Sequence, residues 1–473
     1  MMPSPHPTLR HLAVAATVVF AAGAAMLGCS NAGDQHADDT GASSPTTAPS
    51  TSSPSSPSAL ERPYGVGLVE EVFVDDTRPT SGAAGRAEQP NRTVETTILY
   101  PANVGSDGGI ADGAEPADRG GPFPLVVLGH GLGGNVEYLT PLAERWASAG
   151  YVVALPRFPL TRGDTPGGID GADVQNQPGD VSFVIDEVLA SAKRTDTPLA
   201  GLVDAGRIGA AGHSNGAITT LGVVANSCCR DRRIDTAIVL SGTPSPYADG
   251  AYDFDDMAPT MFVHGVHDQL VDYNQTVDTF NKASTPKALL TLEAADHSDW
   301  LAPTNEAFDI AAQATIDFLD GYLRDDPTAI ERLGSDQSPP VATMHFSPVD
   351  AAAVTVDTIP TAATNREATV SADTDLRDGQ AVTVTWSGFL PGKTVNVLQC
   401  VGDGRGGTAS CGIAEGHVLL ANPTGAGTVD LTIHTGTFAG GTCDAQNPCT
   451  ILVNDSGLLD EDAFRRFPIT FAG

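Results

Sequence analysis

The stretch Ile208-Gly-Ala-Ala-Gly-His-Ser-Asn-Gly216 decides the fold of this chain. Its apolar start predicts a strand that runs into Gly-His-Ser-Asn-Gly, and a helix-compatible segment follows over residues 217–226. Strand, sharp turn and helix in this order are the pattern of a nucleophile elbow, in which a serine occupies a strained turn. The glycines two residues either side of Ser214 fit this interpretation, because the turn leaves no room there for a Cβ. A plain surface turn remains the alternative, since one such pentapeptide in a glycine-rich chain is weak evidence.

The other two members of a catalytic triad follow downstream in the order serine, acid, histidine. Asp268 comes just past the carboxyl end of a predicted strand, and we expect it to orient the imidazole and stabilise the imidazolium. Asp272 is its nearest competitor, and a helix cap is the other role open to that residue. His297 lies in the loop after the last predicted core strand, so we predict that it is the base for Ser214, although a lone histidine can also be structural.

A second glycine turn, His130-Gly-Leu-Gly-Gly134, follows a continuous apolar run that predicts a buried strand. In this position the backbone N–H groups of Leu132 and Asn215 would form an oxyanion hole. The alternative is a tight strand-to-helix turn without a catalytic role. His130 is predicted to shape this turn, and packing or orienting roles are predicted for three other histidines: His213, His264 and His267.

The composition excludes some partners and indicates an exported protein. The 473 residues include 25 basic and 58 acidic side chains, for a net charge of −33, which makes nucleic acid an improbable partner. Seven cysteines fit an oxidising compartment, and none of them has C-x-x-C metal-binding spacing. We therefore predict neither a zinc site nor a cofactor.

The N-terminus has the features of a processing segment. Residues 1–28 contain an apolar run that is short for a transmembrane helix and ends at Gly28-Cys29, which resembles a bacterial lipoprotein signal. In such signals the cysteine is lipidated, so Cys29 would anchor the chain at the outer face of the cell membrane. An ordinary secretory signal is the alternative. Residues 29–62 are rich in Ser, Thr and Pro and predict a disordered tether.

The rest of the chain divides into two parts of different periodicity. Over residues 63–335 apolar strands alternate with helical segments, which predicts an α/β domain with an open, mostly parallel sheet. Residues 336–365 predict a linker with one possible extra strand at 342–346. Residues 366–473 change to short strands of period two between Gly, Pro and Asp turns, which predicts an all-β sandwich.

The six cysteines after Cys29 fall into three groups. Short spacing predicts two local disulfides near the C-terminus, Cys400–Cys411 and Cys443–Cys449. Cys228 and Cys229 are left with each other; a strained vicinal disulfide and two buried thiols both remain open.

Residues 64–335 resemble an α/β hydrolase. The resemblance is nearest to bacterial relatives of type II platelet-activating-factor acetylhydrolase and to dienelactone-hydrolase-like esterases. It rests on four stretches: His130-Gly-Leu-Gly133, Gly212-His-Ser-Asn-Gly216, His264-Gly-Val-His-Asp268 and Asp296-His-Ser-Asp299. It implies a serine hydrolase of carboxylic esters. The chain departs from dienelactone hydrolase in having serine as nucleophile, and it lacks the Tyr-type oxyanion position usual in cutinase-like polyester hydrolases.

The C-terminal region resembles the neocarzinostatin and macromomycin apoproteins. The matching residues include Ala368-Thr-Val-Ser371, Leu376-Arg-Asp-Gly-Gln-Ala-Val-Thr-Val384, Gly388-Phe-Leu-Pro-Gly-Lys-Thr-Val395 and Gln399-Cys400. Those apoproteins are Ig-like sandwiches that hold a reactive chromophore. No contact residue is carried over, so the ligand of this region stays unknown.

Two functions are compatible with these patterns. The leading hypothesis is an exported, lipid-anchored esterase that acts on a small ester or lipid. The other is a surface ligand-binding lipoprotein in which the sandwich is the functional part and the hydrolase part is vestigial. For the esterase, we expect segments 162–180 and 247–256 to shape the acyl pocket. We also expect a chain without residues 366–473 to stay active, because the triad lies upstream.

Overall fold

The structure is a computed structural model that describes residues 63–82, 86–103, 109–248, 250–335, 337–338, 340–349, 351–359, 365–404, 411, 417–421, 423–438, 441–455 and 464–472. The predicted signal segment, Cys29 and the tether lie outside these residues. Within them, no helix combines the length and the apolar character needed to cross a membrane.

An eleven-stranded sheet forms the larger part of the fold. Its strands are β1 (Gly65–Asp75), β2 (Arg92–Ala102), β3 (Ile110–Asp112), β4 (Phe123–Gly129), β5 (Val152–Arg157), β6 (Val203–His213), β7 (Ile234–Leu240), β8 (Thr260–Gly265), β9 (Lys287–Leu292), β10 (Gln337–Ser338) and β11 (Ala342–Ser347). Their order is β10-β11-β9-β8-β7-β6-β4-β5-β2-β1-β3. The six strands from β5 to β9 in this order are parallel, which confirms the predicted α/β class with a mostly parallel sheet.

In the described part of the chain, six α-helices accompany the sheet: α1 (Thr140–Ala149), α2 (Gln177–Ser191), α3 (Asn215–Ala225), α4 (Tyr273–Lys282), α5 (Glu306–Leu323) and α6 (Pro327–Ser335). Helices α1 and α5 pack on one face of the sheet, and α2 and α3 pack on the other. Strand β4 is buried at every position because helices cover both of its faces. Its apolar run reflects this double burial.

The segment predicted as a linker contributes two antiparallel strands to the main sheet, beside β9. Strand β11 pairs antiparallel with β9, and β10 pairs with β11. Part of the segment predicted as linker, residues 337–338 and 342–347, therefore lies in the main sheet, and the possible extra strand at 342–346 is present. Residues 351–359 continue without regular structure along α4.

The regular structure of the C-terminal region, in the residues that are described, consists of β-strands. Its strands are β12 (Glu367–Val370), β13 (Ala381–Ser387), β14 (Thr394–Val401), β15 (His417–Ala421), β16 (Gly427–Thr432), β17 (Gly436–Phe438), β18 (Gly441–Cys443), β19 (Cys449–Asn454) and β20 (Arg465–Ile469). They form a three-stranded sheet (β12-β13-β16), a four-stranded sheet (β15-β14-β19-β20) and a two-stranded ribbon. Alternate residues of β13 and β14, among them Val384, Trp386 and Val397, fill one apolar core, as the period of two predicts.

Candidate active site

Ser214 occupies a strained turn between β6 and α3. Its φ of 56° and ψ of −116° lie in a region that residues with a side chain rarely adopt. A Cβ on Gly212 would lie 2.2 Å from the carbonyl oxygen of Gly216, and a Cβ on Gly216 would lie 2.2 Å from that of Gly129. Only glycine fits at both positions, so the sequence around Ser214 is what permits this turn.

Asp268 is held by a set of donors just beyond the end of β8. Its Oδ1 accepts from the backbone N–H groups of Leu270 and Val271, both at 2.8 Å. Its Oδ2 accepts from His264 Nε2 at 2.9 Å and lies 2.7 Å from His297 Nδ1. Burial by itself would raise the pKa of Asp268, but the hydrogen bonds from the two histidines outweigh burial and hold that pKa far below its usual range. The carboxylate is therefore ionised at neutral pH.

His297 is oriented by Asp268 and by its own loop. Its Nδ1 faces the ionised carboxylate, so this nitrogen carries the proton and Nε2 is left as an acceptor. The loop is braced on both sides of the histidine: Asp296 accepts from the N–H groups of Ser298 and Asp299, and Asp299 accepts in return from Asp296 N–H. With Nε2 unprotonated, His297 can take a proton from a hydroxyl group.

Ser214 and His297 line the same cavity. Among the described residues, their side chains do not hydrogen-bond to each other, and bonds of this kind often tighten only when substrate binds. The backbone N–H groups of Leu132 and Asn215, the predicted oxyanion donors, belong to residues that line this cavity too. Neither group donates to an acceptor within the part of the chain that the structure describes. The five predicted site residues are thus brought together in one place.

A polar connection between the glycine turn and the His297 loop could not be predicted from the sequence. Gly131 N–H donates to the Tyr138 hydroxyl oxygen at 2.7 Å, and that hydroxyl lies 3.0 Å from His213 Nδ1. His213 Nε2 in turn donates to the carbonyl oxygen of His297 at 2.9 Å. Burial, with the nearby His297, lowers the pKa of His213 to about 3, so the ring stays neutral and makes both bonds. Tyr138 lies four residues after the turn, and no local sequence pattern distinguishes it.

Three other side chains near the site have the predicted orienting or capping roles. His130 is buried, contacts its own turn through Gly131 and accepts from the N–H of Phe158. His264 is buried beside Asp268, and its Nε2 carries a proton because it faces two oxygens. Asp272 caps α4 by accepting from Asn274 N–H, which is the alternative role weighed for it.

His267 does not match its prediction. Its side chain is exposed, so it neither packs nor orients a neighbour in the described chain. The turn after β8 points this residue outward while Asp268, next to it, is fully buried.

The cavity has a volume of about 710 Å³. Its wall is mostly apolar and includes Tyr138, Pro141, Ile218, Leu270, Val271, Leu301, Ala302 and Pro303. Three residues of the C-terminal sandwich, Asn396, Leu398 and Asn454, complete it. No sequence pattern indicated this contribution. A chain without residues 366–473 would lack this part of the cavity wall. The expectation that such a chain stays active therefore loses its basis.

The described residues of segments 162–180 and 247–256 do not line the cavity, so they do not form its wall as expected. In the first, the buried Arg92 bonds Asp173 and Asp180. This segment also contacts residues that line the cavity: Gly163 N–H donates to the carbonyl oxygen of Gly134, and the side-chain oxygen of Gln177 accepts from Asn215 Nδ2. In the second, the Tyr247 hydroxyl donates to the carbonyl oxygen of Ile218 and packs behind α3.

All six cysteines after Cys29 form disulfides in the structure. The two predicted local pairs, Cys400–Cys411 and Cys443–Cys449, are present. The open question at Cys228 and Cys229 is answered by a vicinal disulfide. Within the described residues, no group of three or more His, Cys, Asp or Glu side chains is arranged to hold a metal ion.

Comparisons with known proteins bear on both parts of the chain. Residues 368–463 match the neocarzinostatin family. The C-terminal region is thus a neocarzinostatin family domain, which confirms the predicted resemblance there. A solved structure of a ferulic acid esterase from Streptomyces cinnamoneus is similar at 22% identity and a TM-score of 0.44, over 60% of this chain and 97% of that one. No curated protein matches the chain.

Proposed function

We propose that this chain is an exported serine hydrolase of carboxylic esters with an α/β-hydrolase catalytic part. One observation carries the proposal: a serine in a strained turn shares a cavity with a histidine whose Nδ1 is bonded to a buried carboxylate, and with two unengaged backbone N–H groups. No ordinary packing requirement assembles these groups, whereas acyl transfer needs each of them. The division of the chain into a catalytic part, whose sheet extends to Ser347, and a sandwich from about residue 366 is part of the same proposal.

The chemistry proceeds in two halves. In the first, Ser214 Oγ attacks the ester carbonyl carbon while His297 Nε2 takes the hydroxyl proton. Asp268 stabilises the imidazolium that forms, and the N–H groups of Leu132 and Asn215 stabilise the oxyanion. The C–O bond to the alcohol then breaks, and the alcohol leaves with the proton from His297. An acyl-enzyme on Ser214 remains.

In the second half, water replaces the alcohol. His297 takes a proton from the water as its oxygen attacks the acyl carbonyl. The tetrahedral intermediate collapses, Ser214 leaves with the proton from the imidazolium, and the acid is released. Each oxyanion donor is worth about 3 kcal/mol of barrier by analogy with other serine hydrolases.

The cellular placement belongs to the proposal as well. Disulfides and a neocarzinostatin family domain favour an extracellular location. Lipidation at Cys29, with anchoring at the outer face of the membrane, rests on the sequence alone, and secretion is the alternative.

The decisive experiment combines turnover with covalent labelling. We expect the full chain to hydrolyse p-nitrophenyl esters and a fluorophosphonate probe to label Ser214, while Ser214→Ala does neither. Ser335→Ala, on the exposed end of α6, is the matched control and should behave as wild type. Absence of both turnover and labelling in the wild type would instead support the ligand-binding lipoprotein with a vestigial hydrolase part.

A further inference from the structure

Strand β14 presents two different faces. Val395 and Val397 point into the core of the sandwich, so the pleat turns Asn396 and Leu398 to the opposite face of the four-stranded sheet. On the neighbouring strand β19, Asn454 lies directly across from Asn396. The two amides and the leucine therefore form one small surface outside the sandwich core.

This surface lies against the candidate active site. Asn396, Leu398 and Asn454 line the cavity that Ser214 and His297 also line. From the other part of the chain, Leu270 and Val271 line it directly after Asp268. The wall of this cavity is therefore built from two regions that are well separated in sequence, residues 131–303 and residues 396–454.

Direct bonds hold the two regions in this arrangement. Lys393 Nζ donates to the carbonyl oxygen of Asp268 at 2.7 Å, and Thr394 N–H donates to that of Gln269 at 3.1 Å. These bonds connect the first residue of β14 and its predecessor to the loop that carries the acid.

Described residues between the two regions are also bonded to the catalytic part. Asn274 of α4 makes two hydrogen bonds with the backbone of Ile359, one as donor and one as acceptor. Asn281, two turns further along α4, makes the same pair with Val356. The sandwich thus follows the catalytic part through a segment that is bonded to α4 before residue 360.

From this geometry we infer that the neocarzinostatin family domain completes the substrate pocket, and that Asn396 and Leu398 select esters by size. The inference rests on the proposed esterase function and names its substrate class: carboxylic esters with a bulky, mostly apolar acyl or alcohol part. A cavity of about 710 Å³ is within the range of pockets that enclose whole small molecules, far larger than an acetyl group requires. Leu398 extends its apolar wall, and the amides of Asn396 and Asn454 supply polar contacts.

The test uses variants of the full chain in which a larger side chain on the sandwich narrows the pocket. Asn396→Phe and Leu398→Trp each place bulk in the cavity, and kcat/KM is measured for p-nitrophenyl octanoate and p-nitrophenyl acetate. We expect the octanoate-to-acetate ratio of kcat/KM to fall at least tenfold in both variants, mainly through KM for octanoate. The control is Thr385→Phe, on the exposed face of β13 in the other sheet of the sandwich. We expect this variant to keep the wild-type octanoate-to-acetate ratio of kcat/KM.

The outcomes separate this inference from the proposed function. If wild type is active and is labelled at Ser214, but folded variants keep the wild-type ratio, the pocket assignment is wrong and the esterase stands. If wild type neither turns over esters nor is labelled, the esterase is wrong and this inference with it. Thermal melts establish that each variant is folded. If only one of Asn396→Phe and Leu398→Trp is folded, that variant alone decides whether the pocket assignment is right.

Discussion

Lys393 of the C-terminal domain donates a hydrogen bond from Nζ to the backbone carbonyl oxygen of Asp268, the predicted catalytic acid, over 2.7 Å. The same ammonium lies 3.8 Å from the carboxylate of Asp272. The Lys393 ammonium thus contacts both Asp268 and Asp272, the two residues that the sequence analysis considers for the role of catalytic acid. The family domain is coupled to the loop that carries the acid.

Lys393→Met should loosen this contact. Removing a hydrogen bond to a charged donor costs about 1.5–3 kcal/mol when the bond is buried, and partial exposure of Lys393 places the loss below that range. We expect urea denaturation to show a free energy of unfolding lower by about 1 kcal/mol. Lys282→Met, at the exposed end of α4, is the control, and its free energy of unfolding should equal that of wild type. An unchanged midpoint for Lys393→Met would show that this contact contributes nothing to stability.

Asp268→Asn and Asp272→Asn should separate the two acidic residues. An amide at position 268 loses the charge that stabilises the imidazolium and fixes the tautomer, so kcat should fall about 10⁴-fold. At position 272 the change affects a helix cap, for which asparagine is nearly as good as aspartate, so kcat should stay within a few-fold of wild type. Steady-state kinetics on one chromogenic ester measures both, and the reverse ranking would assign the acid to Asp272.

Two buried histidines should make stability depend on pH. Burial lowers the pKa of His213 to about 3 and that of His130 to about 4, whereas both are near 6.5 in the unfolded chain. Between these values the unfolded state binds more protons than the folded state, so stability falls as pH decreases from 6.5 towards 4.

The slope should be about 1.4 kcal/mol per pH unit for each histidine. Urea denaturation at a series of pH values measures it. In His130→Gln, which keeps a polar side chain, the slope should decrease by one such contribution. A variant with the wild-type slope would show that His130 is protonated alike in both states.

The two C-terminal disulfides should each stabilise the sandwich. Closing loops of 11 and 6 residues corresponds to about 2–3 kcal/mol each if the effect is entropic. Replacing Cys443 and Cys449 together by alanine should lower the free energy of unfolding by about that amount. Peptide mapping of the non-reduced chain checks all pairs, and alkylated Cys228 and Cys229 would contradict the vicinal bond.

Local patterns carried much of the fold and of the candidate site. The glycines around Ser214 predicted its strained turn, because only a residue without a Cβ fits at Gly212 and Gly216. Apolar runs such as β4 predicted a doubly covered sheet, and period-two patterns predicted the sandwich. The order of Ser214, Asp268 and His297 at strand ends predicted that they meet at one edge of a parallel sheet. In the structure Ser214 and His297 line one cavity, and Asp268 is bonded to His297.

Contacts between distant parts of the chain were decided only by the tertiary structure. The Tyr138–His213 bond, the addition of β11 to the main sheet and the placement of Leu398 in the cavity wall leave no periodic signal in the sequence. The expected roles of segments 162–180 and 247–256 failed for the same reason. Periodicity reports how each residue faces its own element, but which surfaces of two folded parts meet depends on their shape and on a few long-range polar bonds.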